Sequence, residues 1–577
     1  MRSFSRYFPW QRPSPGFPPP CGMPAAAALR AAAGTMLCIL FLSGCMKVGP
    51  EFALPPQPLP EQWSEADLRH AFRGDATSAE WWTHFHDPSL SALVLRARRE
   101  SPTVETALLR VAQARALYGQ AVGRLFPQQQ ALTGEYEWSR PSRRAPDAAQ
   151  PGEPSDPSSV RELNVGMQMS WELDFWGKYR RGAEAARDAL MAAQAAHELA
   201  LVTLSADVAQ SYLKYRTLQE QIRIAEKNDL AQREAVRLTE ARFRHGAVSE
   251  RDYAQALAQQ KSTEADLPAL RGQLRAVRNA LCVLLGQAPG PLAELEGSGI
   301  PGVAGTIAVG IPSDVIRRRP DVRRAERLAA SQCAQIGVRE ADLFPAFTLG
   351  GFIGFQGSDV GAFTLGQTWG HGFTANAGPS VLFPFLNYGR LLNAVRAQDA
   401  VFQQALTSYR QTVLAALEEA ENAMTSFLRA QERLAVLKQA RDAADRAVRL
   451  TLRQYLAGSV DFTGVVLAQS SLYEQENAVA VTTGEAARQA VQIFRALGGG
   501  WKPEAGLPPQ TVESMKRRTA WGGLLDEAPL RVPSRQASPA PAAPAGSAGS
   551  AGSVGAAGSA SAISPSAPSP RPATLPR

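Results

Sequence analysis

Leu163-Asn164-Val165-Gly166-Met167-Gln168-Met169-Ser170-Trp171-Glu172-Leu173-Asp174-Phe175 decides the fold, because every odd position is apolar and every even position is polar or glycine. Successive side chains of an extended strand point to opposite faces, so this is one strand with one oily and one wet face. Upstream, Leu132, Gly134, Tyr136 and Trp138 alternate with Ala131, Thr133, Glu135 and Glu137, which supplies the partner strand of a hairpin at about residues 128–175. A second hairpin is predicted at about 346–386. There Phe347, Leu349, Gly351, Ile353 and Phe355 form one apolar set and Phe373, Ala375, Ala377, Val381, Phe383 and Phe385 the other. Residues 140–159 are crowded with Pro, Ser and charge and 357–372 are rich in glycine, as loops require.

Strands of about 10 residues with an aromatic-rich apolar face carry the pattern of a membrane barrel, one face to lipid and the other to a watery lumen. Two amphipathic hairpins packed on the helices of a soluble protein show the same alternation and stand as the alternative. Four strands cannot close a barrel, whose smallest membrane form has about 8, and hydrocarbon does not tolerate an open edge. A membrane location therefore requires several chains to share one barrel. In that arrangement Glu135, Glu137, Glu172 and Asp174 face the lumen and make it locally acidic.

Outward from the hairpins, the chain is built twice: residues 102–286 recur as 320–498. Pro102, Val104, Gly119 and Leu125-Phe126-Pro127 return as Pro320, Val322, Gly337 and Leu343-Phe344-Pro345, an offset of 218. Gly177, Phe243, Gly246 and Leu285-Gly286 return as Gly389, Tyr455, Gly458 and Leu497-Gly498, an offset of 212. A period of roughly 200 residues is too long for a stacked array and marks a duplicated unit. In each unit a long segment without proline, 178–245 and 390–457, is rich in Ala, Leu, Glu, Arg and Gln. As a helix each spans about 100 Å, too long for a compact globule. Shorter helices precede each hairpin and follow each long helix (247–286 and 459–498), so each unit pairs one long helix with a broken one. Gly246 and Gly458 suit the tight turn between them, where a positive φ is needed.

The ends and linkers are different in kind. Arginines at 2, 6, 12 and 30 and an apolar run at 25–42 lead to Leu42-Ser43-Gly44-Cys45, a secretory leader (1–44) with a lipoprotein cleavage box. Cys45 is the expected acylation site, and translation starts at Met1 or Met23. Residues 45–101 form a lipid-anchored segment, 287–319 a linker and 499–530 a further segment. The Ala/Ser/Gly/Pro tail at 531–577 has the composition of disorder. Cys282 and Cys333 fall in helices and match Phe494 and Arg115 in the other unit, which speaks against a disulfide framework.

The net charge is +8, but Lys and Arg are interspersed with acids rather than gathered in a patch, so nucleic acid is not an expected partner. Arg317-Arg318-Arg319 precedes Pro320 and reads as the start of a helix. His84, His86 and Asp87 lack further ligands at metal spacing, and Gly350-Gly351-Phe352-Ile353-Gly354 does not open a helix. No nucleophile constellation is present, so neither a cofactor nor an enzyme activity is expected. The rival readings are a periplasmic adaptor or coiled-coil scaffold and a surface enzyme.

Cys45-Met46-Lys47-Val48-Gly49-Pro50, Trp81-Trp82 with Asp87-Pro88, Arg319-Pro320-Asp321-Val322-Arg323, the paired Leu-Phe-Pro motifs and Ala468-Gln469 resemble the outer-membrane efflux proteins of the TolC/OprM kind, specifically the NodT-type lipoproteins. The resemblance covers about residues 45–502. It implies a mixed α/β membrane protein in which a homotrimer forms a 12-stranded β-barrel continued by a 12-helix periplasmic α-barrel. It also implies docking to a periplasmic adaptor and to an inner-membrane resistance-nodulation-division (RND) pump, with small molecules leaving by a passive duct. In that family the periplasmic tip is closed near the helix turns, and Tyr455 matches the tip tyrosine. The chain departs where the family's aspartate and arginine are Leu467 and Ser470; Asp461, Asp252 and Arg251 are the candidate substitutes, with apolar contact through Val465 and Leu467 as another means of closure.

Overall fold

The computed structural model describes residues 46–54, 60, 62–64, 80–140, 160–295, 297, 299–302, 312–360 and 372–499. The helices are α1 (Pro88–Glu100), α2 (Pro102–Gly123), α3 (Lys178–Arg244), α4 (Glu250–Leu284), α5 (Pro312–Arg318), α6 (Pro320–Ala341), α7 (Arg390–Leu456) and α8 (Phe462–Ala496). The strands are β1 (Gln129–Ser139), β2 (Val160–Leu173), β3 (Ala346–Val360) and β4 (Phe373–Leu382). The duplication is metrically close: α2 and α6 have 22 residues each, α3 and α7 have 67, and α4 and α8 have 35. Proline opens both α2 and α6, at the position where a missing N–H costs nothing.

The strands form one antiparallel sheet in the order β1-β2-β3-β4. The helices follow the same order: α2 packs on α3, α3 on α6, and α6 on α7, while α4 and α8 continue the lines of α2 and α6 beside the far halves of the long helices. The breaks are tight. A Cβ on Gly286, which ends α4 with φ 73°, would lie 2.7 Å from Pro102 Cδ, and one on Gly498 would lie 3.3 Å from Arg319 Cα. Among the described residues, the outer edges of β1 and β4 are unpaired within the chain.

The main core lies where α1 crosses α3. Asp87 caps α1 by accepting from the Leu90 amide (3.0 Å) and also accepts from the Tyr212 hydroxyl (2.7 Å). Leu90, Leu93, Val94 and Ala97, spaced for one helix face, bury against Leu204, Val208, Tyr212 and Leu213. Trp81 stacks on Phe494 with ring centroids 5.2 Å apart, tying this core to α8. The Arg-rich run is split between two helices: Arg317 and Arg318 form the last turn of α5, and only Arg319 serves α6, as its N-cap residue, pairing with Asp321 (2.7 Å) and Glu419 (2.8 Å). Cys282 and Cys333 are buried free thiols.

Beyond Cys45, which lies outside the described residues together with the leader and the tail, Met46–Leu54 runs across the root of the sheet. The Val48 amide donates to Trp176 O (3.0 Å), and Arg181 donates to Val48 O (2.9 Å) and Gly49 O (2.7 Å). A Cβ on Gly49 would press on the Gly337 backbone, its nitrogen 2.9 Å away, so two glycines let this segment lie against α6.

Candidate functional site

Two places are the candidate sites: the oily face of the sheet and the tip where the long helices turn. The ladders settle the parity of the first. Leu132, Gly134 and Tyr136 stand opposite Met167, Val165 and Leu163; Val165, Met167, Trp171 and Leu173 stand opposite Phe355, Ile353, Leu349 and Phe347; and Phe347, Ile353 and Phe355 stand opposite Val381, Ala375 and Phe373. The apolar set of every strand therefore lies on a single face, where Leu132 is 81% exposed. Among the described residues nothing in the chain covers this face, and an oily surface of this kind marks a membrane or protein contact. β4 stops at Leu382, two residues before Pro384, so Phe383 and Phe385 leave the ladder.

On the opposite face Glu135 stands across from Asn164, and Glu137 across from Glu162. Glu162 belongs to this acidic group and was missed by starting the parity count at Leu163. A like-charge pair directly across two strands costs stability, so water must solvate it. The Phe352 ring crosses this face above two glycines: a Cβ on Gly166 would come 2.6 Å from it and one on Gly354 2.8 Å. Glu172 sits at the root of the sheet, accepting from the Tyr179 hydroxyl (2.8 Å) with Lys178 Nζ at 3.5 Å. Burial, then that carboxylate, pushes the Tyr179 hydroxyl well above its ordinary value. Asp174 lies past the end of β2 rather than on the lumen-type face. Its carboxylate accepts from the Tyr179 (3.1 Å) and Arg180 (2.9 Å) amides, capping α3 where Gly177 has no side chain to do so.

At the tip both turns use one device. Gly246 (φ 71°) and Gly458 (φ 75°) donate to Phe243 O (2.9 Å) and Tyr455 O (3.0 Å), and the next amides reach back to Arg242 O (2.8 Å) and Gln454 O (3.0 Å). No heavy atom lies within 4 Å of a Cβ placed on either glycine, so the requirement is conformational. Ser249 and Asp252 form a reciprocal capping box that starts α4 at Glu250, and Arg251 lies 3.3 Å from the Asp252 carboxylate. Asp461 caps α8 through the Gly464 amide (3.4 Å). Tyr455 is buried with Phe462, Val465, Val466 and Ala256, against Ala235 and Val236. Its ring meets Phe462 edge-on at 5.4 Å and lies beneath the Arg242 guanidinium at 4.7 Å, while its hydroxyl has no hydrogen-bond partner among the described residues. Arg242, which ties the first hairpin of helices to the second, was not singled out from sequence; its counterpart, Gln454, gave no hint. Val465 is consumed by this internal cluster, whereas Leu467 is 64% exposed. Asp252, Arg251 and Asp461 are thus brought into local caps, and Leu467 is left free of the chain's own core.

His84 Nδ1 lies 3.1 Å from Trp81 O and Asp87 is engaged as a cap, so these side chains serve the core.

Comparison with known proteins places these features. The family model "Outer membrane efflux protein" matches residues 93–287 and 311–499, the two halves of the duplication. Nodulation protein T of Rhizobium leguminosarum bv. trifolii is 32% identical over 469 residues, covering 81% of this chain and 97% of that protein. The pyoverdine export outer membrane protein OpmQ of Pseudomonas aeruginosa is 30% identical, covering 80% and 97%. The solved outer-membrane channel OprN superposes with a TM-score of 0.72 at 30% identity, covering 79% of this chain and all of that one. The soluble-hairpin and adaptor readings give way, and the chain belongs to the outer membrane efflux protein family, as an outer-membrane channel component of an efflux system.

Proposed function

We propose that three copies of this chain close a 12-stranded barrel in the outer membrane and continue it as a 12-helix periplasmic tube, acylated at Cys45. The assembly is a passive exit duct for small toxic compounds, driven by an inner-membrane RND pump through a periplasmic adaptor. The observation that carries this reading is the four-stranded sheet with all its apolar residues on one face and both outer edges unpaired. Lipid covers the face and neighbouring copies cover the edges. Glu135, Glu137 and Glu162 then line the lumen and favour cations there, while the pump selects the cargo.

The tip is the gate. With the aspartates at 252 and 461 engaged in caps, the exposed Leu467 of each copy supplies an apolar closure in place of a carboxylate ring. The test is conductance of the purified full chain in a planar bilayer. Wild type is expected to run as a heat-modifiable trimer with low conductance, and Leu467→Ser to conduct at least severalfold more. A monomer that stays soluble without detergent once its leader is removed overturns the duct. Unchanged conductance in Leu467→Ser overturns the apolar gate alone.

A further inference from the structure

The duplication places two kinds of helix seam in the assembly: α3 on α6 within the chain, and α7 on α2 of the next copy. We infer that the second seam reuses the geometry of the first with altered chemistry, so that its contact residues can be read from the internal one. The inference rests on the three-copy reading above.

Four internal contacts translate. Trp176 stacks on Phe344 at 4.6 Å and donates Nε1–H to Pro345 O (2.8 Å). The offsets of 212 and 218 carry this pair to Tyr388 and Phe126, which the single chain leaves 96% and 64% exposed. Arg323 pairs with Glu198 at 2.7 Å. The corresponding residues are Glu105 and Arg410, both exposed, with the charges exchanged between the two sides. A reversal at both positions keeps the attraction, which two independent changes have no reason to do. Where Arg327 meets Asp188 internally (3.5 Å), the second seam has Leu109 and Ala400, so a polar contact is replaced by an apolar one, again on both sides.

The fourth contact is lower on the tube. Thr217 of α3 lies so close to α8 that Gly484 leaves no room for a Cβ. Its counterpart Gly272 on α4 is also glycine, yet nothing lies within 4 Å of its Cβ position in the single chain. A glycine in mid-helix costs about 1 kcal/mol relative to alanine; the offset carries Thr217 to Arg429, and room for that longer side chain of α7 from the next copy accounts for it. One contact translates badly: Lys178 with Asp342 (3.0 Å) becomes Arg390 facing Arg124. Attraction between copies therefore rests on the aromatic pair above that level and the ionic pair below it.

The test uses the detergent-purified full chain. Glu105→Arg and Arg410→Glu each lower the temperature at which the trimer dissociates, and the double exchange restores it. Glu105→Cys combined with Arg410→Cys gives disulfide-linked copies on oxidation, and neither single variant does. Gly272→Leu, placed in open space in the single chain, keeps the helix content but loses the trimer. Trimers by light scattering with additive charge variants, no cross-link and an intact Gly272→Leu assembly overturn the inference while leaving the duct in place. A monomeric wild type overturns both.

Discussion

Tyr455→Phe separates two ways in which a tip tyrosine can hold a gate. A hydroxyl that donates across the tip makes its loss open the channel; a ring that packs makes it neutral or better. The structure favours the ring. The hydroxyl is buried without a partner among the described residues, and leaving such a group unsatisfied costs about 1–3 kcal/mol. Phenylalanine removes that cost while keeping the edge-on contact with Phe462, worth roughly 0.5–1.5 kcal/mol, and most of the Arg242 cation–π attraction, roughly 0.5–2 kcal/mol. Tyr455→Phe is therefore expected to stabilise the closed tip by about 1 kcal/mol and slow amide exchange around residues 455–466 by roughly fivefold. Tyr455→Ala forfeits both contacts and the buried ring, about 3–5 kcal/mol, and should raise conductance in a planar bilayer. The assays are hydrogen exchange and single-channel recording on the same preparations. If Tyr455→Phe conducts like Tyr455→Ala, the hydroxyl finds an acceptor on a neighbouring copy and the packing argument is wrong.

Leu132→Lys places a charge on the lipid face and is expected to cost roughly 2–4 kcal/mol of barrel stability, read by urea unfolding in vesicles. Glu135→Lys, on the other face, should leave stability nearly unchanged and shift reversal potentials toward anion permeation. Glu184 is held below its ordinary value of 4.5: burial opposes ionisation, but Lys47 and Arg181 outweigh it. A depressed carboxylate stabilises above its unfolded value and loses that contribution as pH falls through the folded one. Exchange protection of residues 47–51 should therefore drop below about pH 4.5, and Glu184→Gln should abolish the pH step. Trp81→Ala opens a cavity beside Phe494 and should cost about 3–5 kcal/mol, seen as a fall in folded yield and melting temperature.

Alternation was legible because a strand has a period of two: one misassigned parity would have thrown Phe355 and Ile353 onto opposite faces from Val165 and Met167, and the ladders place them together. The long helices were legible because nothing between Lys178 and Arg244 interrupts them. Boundaries were less so. Ser249 caps α4 three residues later than the glycine suggested, since a side-chain acceptor, not the turn, sets the first helical residue. Asp174 was placed by parity on the wet face, but parity ends where the strand does, and a carboxylate beside free helix amides goes to them. Arg242 was invisible because a cation over a ring has no sequence spacing: its partner lies over 200 residues away.

How strongly a duct is held shut bears on how it opens. In each copy the tip-level links between the first helical hairpin and the second, among the described residues, include the Arg242–Tyr455 contact, a long Thr463–Gln255 hydrogen bond (3.4 Å) and the small cluster around Ala256. Taken one at a time these are worth about 1–2 kcal/mol each, far less than the core around Trp81 and Leu213. The tip can therefore splay while the middle of the tube stays intact. Moving a two-state element from mostly closed to mostly open takes a differential binding energy of roughly 5.5 kcal/mol. In the three-copy duct proposed above, a docking protein would reach that by gripping the exposed turns at Gly246 and Gly458 in all copies at once, without energy from this chain. The halves also differ here. Phe243 at the first turn, the counterpart of Tyr455, stacks on Tyr253 at 6.2 Å and remains 38% exposed, so only the second turn is tied to its neighbour by a buried ring. Opening is then expected to begin with α7 and α8 moving away from α3, and cysteines joining α3 to α7 beside Arg242 and Tyr455 should lock the channel, whereas a bridge within the first turn should not.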